Sequence, residues 1–157
     1  ATRPALFETE FVDIARAIQQ SFEQVTIPED IQPVVTIDSA SPTVLVNSLL
    51  LTEILIDLVQ NSIQAMAKGG TLRITAQPGV GGFVELRIAG TGRGISEEVQ
   101  RKLFQPFATT RGKVGDHGLG FWLAKHFSER FGGTLDLECS KVGQGTTFLL
   151  KLPMATD

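Results

Sequence analysis

Three polar residues recur at intervals of four near the middle of this 157-residue chain: Glu53, Asp57 and Asn61. At that spacing they fall along one side of a helix, each about 6 Å further up the axis. An amide oxygen such as that of Asn61 suits Mg2+, a hard cation that keeps several waters and takes few protein oxygens. A carboxylate one turn earlier would orient a water of that shell or accept a proton. Two glycine clusters lie downstream, Gly90-Thr91-Gly92-Arg93-Gly94-Ile95 and Gly115-Asp116-His117-Gly118-Leu119-Gly120. Glycines let backbone N–H groups approach phosphate oxygens, and a helix starting at the second cluster adds the positive end of its dipole. Together these residues read as a nucleotide site. The plainer alternatives are the wet side of an amphipathic helix and two ordinary turns.

Between the clusters runs Leu103-Phe104-Gln105-Pro106-Phe107-Ala108-Thr109-Thr110-Arg111-Gly112-Lys113. Two phenylalanines around a proline give a rigid apolar anchor, and two cations follow on a polar stretch. That composition suits a lid closing over a polyphosphate. No G-x-x-x-x-G-K-[ST] is present, and Gly90–Gly94 follows a hairpin strand rather than opening a βαβ unit. A P-loop and a dinucleotide fingerprint are thereby set aside.

The elements that must position these residues follow from periodicity. Apolar groups at Val12, Ala15, Ile18, Phe22 and Val25 predict a first helix. Val34–Ile37 and Val44–Val46 read as short strands. Asn47 stands as N-cap of a long helix from Leu49 to Met66, with Gly69-Gly70 behind it and Gln60, Gln64 and Lys68 on the polar side. Strands are expected at Thr71–Ala76 and Phe83–Ala89, a short helix from Ser96 to Leu103, and a helix from Leu119 to Phe131. A hairpin of Thr134–Ser140 and Thr146–Leu152 closes the chain. This order predicts one α+β domain over residues 1–157, a sandwich with helices over one sheet face.

Composition permits that reading. Hydrophobic residues make up 42% and charged residues 20%, with a formal net charge of −3. Nothing in that balance asks for nucleic acid or an anionic membrane as partner. The single cysteine, Cys139, excludes an internal disulfide and reads as strand filler. No run approaches the roughly 20 apolar residues of a membrane span. Ala1-Thr2-Arg3-Pro4 has neither initiator methionine nor signal-peptide pattern, the expectation being a cytoplasmic piece of a longer protein.

The segment Glu53-Ile-Leu-Ile-Asp57-Leu-Val-Gln-Asn61-Ser-Ile-Gln-Ala65 resembles the N box of the GHKL ATPase superfamily. Ala89–Ile95 resembles its G1 box, Leu103–Phe107 its F box, His117–Phe121 its G2 box, and Gly143–Phe148 its closing motif. Order and spacing are similar to the ATP-binding catalytic domain of bacterial sensor histidine kinases, from about Glu8 to Pro153. The resemblance implies a Bergerat-type two-layer α/β sandwich, a mixed sheet covered on one face by helices, with a flexible ATP lid at about 105–117. It implies ATP and Mg2+ as cofactors, with Mg2+ on Asn61. Adenine would lie near Gly90, Gly92, Gly94, Ile95 and Thr146, and phosphates near Gly118, Leu119, Gly120, Arg111 and Lys113. Gln64, Phe107 and His117 complete the nucleotide-contacting set. Glu53, Asp57 and Lys113 are the catalytic candidates. The implied reaction is γ-phosphoryl transfer to a histidine on a separate helical dimerisation and phosphoacceptor domain. A response regulator follows indirectly, and nucleic acid or direct membrane contact is not expected. That domain would supply the acceptor, because neither His117 nor His126 sits in an acceptor context.

Three positions depart from the family pattern. The G1 box opens with an aspartate that accepts the adenine amino group, and here Gly90 stands there. A charge-assisted bond is worth about 1.5–3 kcal/mol, which predicts roughly 10- to 150-fold weaker ATP binding. Asp116 replaces a G2 glycine and would lie near the triphosphate. Asp57 replaces an asparagine common in sensor kinases. In related ATPases a carboxylate one turn before the metal asparagine is a general base, whereas hydration of the metal is the role favoured here. Two further readings follow: a degenerate pseudokinase or docking module, and a GHKL ATPase with Asp57 as base.

Overall fold

Ten elements appear in the residues that the computed structural model describes, 8–38, 43–92, 120–141 and 145–155. In chain order they are β1 (Glu10–Asp13), α1 (Ile14–Glu23), β2 (Ile31–Ile37), β3 (Thr43–Val46), α2 (Ser48–Gln64), β4 (Gly70–Pro78), β5 (Phe83–Gly90), α3 (Gly120–Arg130), β6 (Thr134–Lys141) and β7 (Gly145–Pro153). Five strands form one mixed sheet in the order β2-β4-β5-β7-β6, with β2 parallel to β4 and the other pairs antiparallel. The remaining two, β1 and β3, pair antiparallel as a small ribbon. Ribbon and sheet are tied where the Ala155 N–H donates to the Thr43 carbonyl at 2.8 Å.

Alternation along the strands divides the sheet into a dry face and a wet one. The rows Ile74–Ile88–Phe148 and Ala76–Leu86–Leu150–Leu135 are registered across it and buried. Helices α2 and α3 cover that face and α1 packs beside α2, so the expected α+β sandwich is what forms. The opposite face carries Arg73, Glu85, Arg87, Asp136, Glu138 and Lys151 at the intervening positions. There Arg87 donates from Nε and Nη2 to both carboxylate oxygens of Glu138, at 2.7 and 2.9 Å. Its Nη1 donates to Glu85 at 3.1 Å. The bond from Arg87 holds the Glu138 carboxyl below the usual carboxylate range, against a smaller upward push from burial.

The expected N-cap is in place: Asn47 Oδ1 accepts from Leu50 N at 3.1 Å. From Ile54 to Val59 every residue of α2 is buried, as befits a helix wedged between a sheet and two other helices. The helix ends at Gln64, before the Gly69-Gly70 stop predicted for it. A turn with the Gly69 N–H donating to the Met66 carbonyl fills the difference. The first helix also starts later than its pattern suggests. Residues Glu10–Asp13 pair with β3, and Asp13 then caps α1 by accepting from Ala15 N at 2.9 Å. Cys139 lies in β6 as expected. The helix expected over 96–103 and the lid expected over 105–117 lie outside the described residues.

Candidate functional site

The three residues at intervals of four occupy three different environments. Glu53 is exposed, Asp57 has no exposed surface, and Asn61 is half-buried. Each four-residue step rotates about 40° around the axis, enough to carry a side chain from the wet edge of α2 to its covered side. Asn61 Nδ2 donates to the Asp57 carbonyl at 2.8 Å and lies 3.4 Å from Asp57 Oδ2. The first is a firm bond and the second a marginal one. With the amide nitrogen turned back to the helix, the amide oxygen lies on the opposite side of the planar group. Gln64, on the next turn, is exposed.

The C-terminal half of α2 lies against the end of β5, where glycines allow close approach. A side chain at position 92 would meet the Ala65 carbonyl oxygen at 2.1 Å, so only glycine fits there. Position 145, where φ is +105°, is bound to glycine as well: its Cβ would fall 2.3 Å from the Gly90 carbonyl oxygen. Gly90 is different. A Cβ there would sit 3.2 Å from Met66 Cε, the yielding end of a flexible side chain, and 3.5 Å from Ser62 Cβ. Thr146, itself buried, is the cross-strand partner of Gly90. Thr91 closes the edge, its hydroxyl accepting from Thr71 N at 3.0 Å.

Gly90, Gly92 and Thr146 thus meet the end of α2, whose last turn carries Asn61. Gly120 opens α3. Gly94, Ile95, Phe107, Arg111, Lys113, Asp116, His117, Gly118 and Leu119 lie outside the described residues. His126 is exposed on α3, its ring stacked on Trp122 with centroids 5.3 Å apart. Two residues at the site escape motif reading. Met66 and Ser62 form the wall facing Gly90, one turn apart on the same strip. Ser62 is 3% exposed, and its hydroxyl has no hydrogen-bond partner among the described residues. An unsatisfied buried hydroxyl costs about 1–3 kcal/mol. Its sequence signal is faint: a serine directly after Asn61, three residues before the helix ends. An apolar groove between α1 and β2, lined by Ile18, Phe22 and Val35, includes none of these residues.

Residues 46–156 match the family described as histidine kinase-, DNA gyrase B-, and HSP90-like ATPase. The sensor histidine kinase ZraS of Escherichia coli is 30% identical over 155 residues, which is 97% of this chain and 32% of that protein. The chain spans a third or less of the first curated relatives it matches. Full-length ShkA, solved in complex with AMPPNP, superposes with a TM-score of 0.81 at 26% identity, over 99% of this chain and 33% of that one. The catalytic domain of the histidine kinase ThkA gives 0.77 at 26% identity, over 93% and 95% respectively. A chain of the structure of histidine kinase ThkA in complex with the response regulator TrrA shares this fold, with a TM-score of 0.72 at 23% identity, over 95% of this chain and 42% of that one.

Proposed function

The chain belongs to the histidine kinase-, DNA gyrase B- and HSP90-like ATPase family, and on that premise we propose that it binds Mg-ATP and transfers the γ-phosphoryl group. The acceptor is a histidine on a separate helical dimerisation and phosphoacceptor domain, and a response regulator receives the group afterwards. One observation carries this reading. Asn61, anchored through its amide nitrogen to the Asp57 carbonyl, stands in the last turn of α2, and the residues that follow it, Ser62, Ala65 and Met66, meet Gly90 and Gly92.

The residues present fit the cofactors. Among the described residues no three histidine, cysteine or carboxylate side chains gather to hold a metal by themselves. An amide oxygen, waters and phosphate oxygens form the donor set that Mg2+ prefers. The partnerless hydroxyl of Ser62 gives the base end a polar atom to engage. When bound, Mg-ATP supplies the phosphoryl group and neutralises the charge that develops during its transfer.

The chain's own residues bind and orient. Asn61 positions the metal, and buried Asp57 holds the Asn61 amide in line through its backbone carbonyl. Exposed Glu53 orients water at the outer edge. Gly90, Gly92, Gly94, Ile95 and Thr146 border the base, while Gly118, Leu119, Gly120, Arg111 and Lys113 receive the phosphates. Gln64, Phe107 and His117 complete the enclosure. This domain works in the cytoplasm without nucleic acid or direct membrane contact, whether or not the parent protein is anchored. No described helix is long and apolar enough to cross a membrane.

Gly90 favours a second reading, a docking module with weak or no turnover, because glycine stands where the family pattern has the carboxylate that takes the adenine amino group. Calorimetry of the 157-residue chain with AMPPNP and Mg2+, repeated on Gly90→Asp, separates the two. Micromolar binding by the unaltered chain, followed by transfer from ATP to a helical acceptor domain in trans, is expected. Binding without transfer supports the docking module. Binding by neither protein removes the nucleotide reading.

A further inference from the structure

Four hydroxyl side chains are buried within the described helices: Ser21, Thr52, Ser62 and Ser128. Three of them satisfy themselves on the preceding turn. Ser21 donates to the Ile18 carbonyl at 2.7 Å, Thr52 to Ser48 at 3.0 Å, and Ser128 to Ala124 at 2.7 Å. This is the usual resting place of a buried helical hydroxyl. Ser62 alone among them makes no such bond. It sits on the strip of α2 that faces Gly90, with Met66 on one side and Thr146 registered opposite Gly90. A buried polar atom that its own helix leaves unpaired, at the wall of a proposed binding site, marks a place where a ligand completes the pairing.

Resting on the nucleotide-binding reading above, we infer that Ser62 reads the base of the bound purine, and that with Gly90 beside it the site accepts 6-oxo as well as 6-amino purines. The chemistry lies in the donor and acceptor inventory. A carboxylate at position 90 is an acceptor only, so it takes an amino group and repels a carbonyl. A hydroxyl rotates to donate or to accept, and serves either group at the purine 6-position. Gly90 contributes no side chain to enforce a choice. Loss of the carboxylate therefore changes what the site recognises as well as how tightly it holds it. Ser62 is a specificity-determining residue, outside the set that the motifs name.

The test uses the whole 157-residue chain, titrated calorimetrically with ATP and with ITP in the presence of Mg2+. The same titrations are run on Ser62→Ala and Gly90→Asp, with thermal melts of each free protein and of Ser128→Ala. The unaltered chain is expected to bind the two nucleotides within about tenfold of each other, and Gly90→Asp to favour ATP by more than about tenfold. Ser62→Ala weakens both by roughly 5- to 20-fold, the worth of one hydrogen bond. Its melting temperature does not fall, because no internal bond is lost, whereas that of Ser128→Ala does. A purely structural serine would show the reverse pattern. Affinity unchanged in Ser62→Ala, or ATP preferred more than about a hundredfold by the unaltered chain, overturns the inference while nucleotide binding stands. Binding by Gly90→Asp alone overturns it too. Binding by neither protein overturns the functional reading and this inference with it.

Discussion

The two ends of α2 treat their polar groups in opposite ways. At the N-terminal end each one is spent on the fold. Asn47 accepts from Leu50 N with one amide atom and donates to the Glu8 carbonyl with the other, at 2.9 Å. Ser48 donates to Glu10 at 3.1 Å, and Thr52 returns its hydroxyl to Ser48. At the C-terminal end Asn61 commits its amide nitrogen inward, and Ser62 commits nothing. Facing that end lie Gly90, the last residue of β5, and Gly92, two residues beyond it. One helix thus anchors the fold at one end and, at the other, leaves the Ser62 hydroxyl unpaired among the described residues. Polarity alone does not distinguish them; pairing does.

Four substitutions would break or sharpen that contrast. Asn61→Ala has the largest expected effect: Mg2+-dependent ATP binding and transfer fall by about 100-fold or more, the scale of losing one preorganised polar group at a reacting centre. Its melting stability changes by less than about 1 kcal/mol. Comparable losses in both measurements would make the two ends of α2 alike. Gly92→Ala comes next. Its Cβ meets the Ala65 carbonyl, backbone must move, and overpacking of this kind costs about 1–3 kcal/mol with nucleotide affinity falling alongside. A neutral result in denaturant titration would mean that this close approach is not required.

Asn47→Ala tests the anchoring end, with about 1 kcal/mol of stability lost and nucleotide affinity held within twofold. An affinity loss there would connect the ends. The smallest effect belongs to the open sheet face, remote from both. Glu138→Gln changes stability by less than about 1 kcal/mol at neutral pH, because the Arg87–Glu138 pair is partly exposed and screened. The Glu138 carboxyl is depressed in the folded protein, so its contribution is present above the usual carboxylate range. It fades as pH falls through that range and below. Melts of both proteins from pH 7 to pH 2 should converge at the acid end; a gap that widens toward acid would reverse the assignment.

Local signals were strong in the sequence and tertiary ones were weak. Asn47 ahead of an apolar run declared its own cap, and the helix expected to end at Phe131 ends at Arg130. β1 was hidden because its four residues run straight into α1 with no turn between them, so Val12 fits a helical period equally well. Glu53, Asp57 and Asn61 were legible as a spacing, but their separate burial depends on what packs against each side of α2. The family resemblance set Gly90 and Thr146 both near the adenine, but their pairing across β5 and β7 has no local signal, since the two are far apart in the chain. Ser62 was invisible as a functional residue. A hydroxyl without a partner is defined by every neighbour it fails to meet, and no window of sequence contains them.

The parallel pairing of β2 with β4 sets an order of events in folding. The hairpins β4–β5 and β6–β7 close over short connections, and α2 can nucleate on its own cap. The register of β2 against β4 has to wait, because β3 and all of α2 lie between them and loop closure must precede any gain from contact. Among the described residues β2 is also the sheet's edge, with β4 its sole neighbour there. We expect it to dock late and to be the first strand released in native-state hydrogen exchange, ahead of the central β5, which holds Gly90 in place.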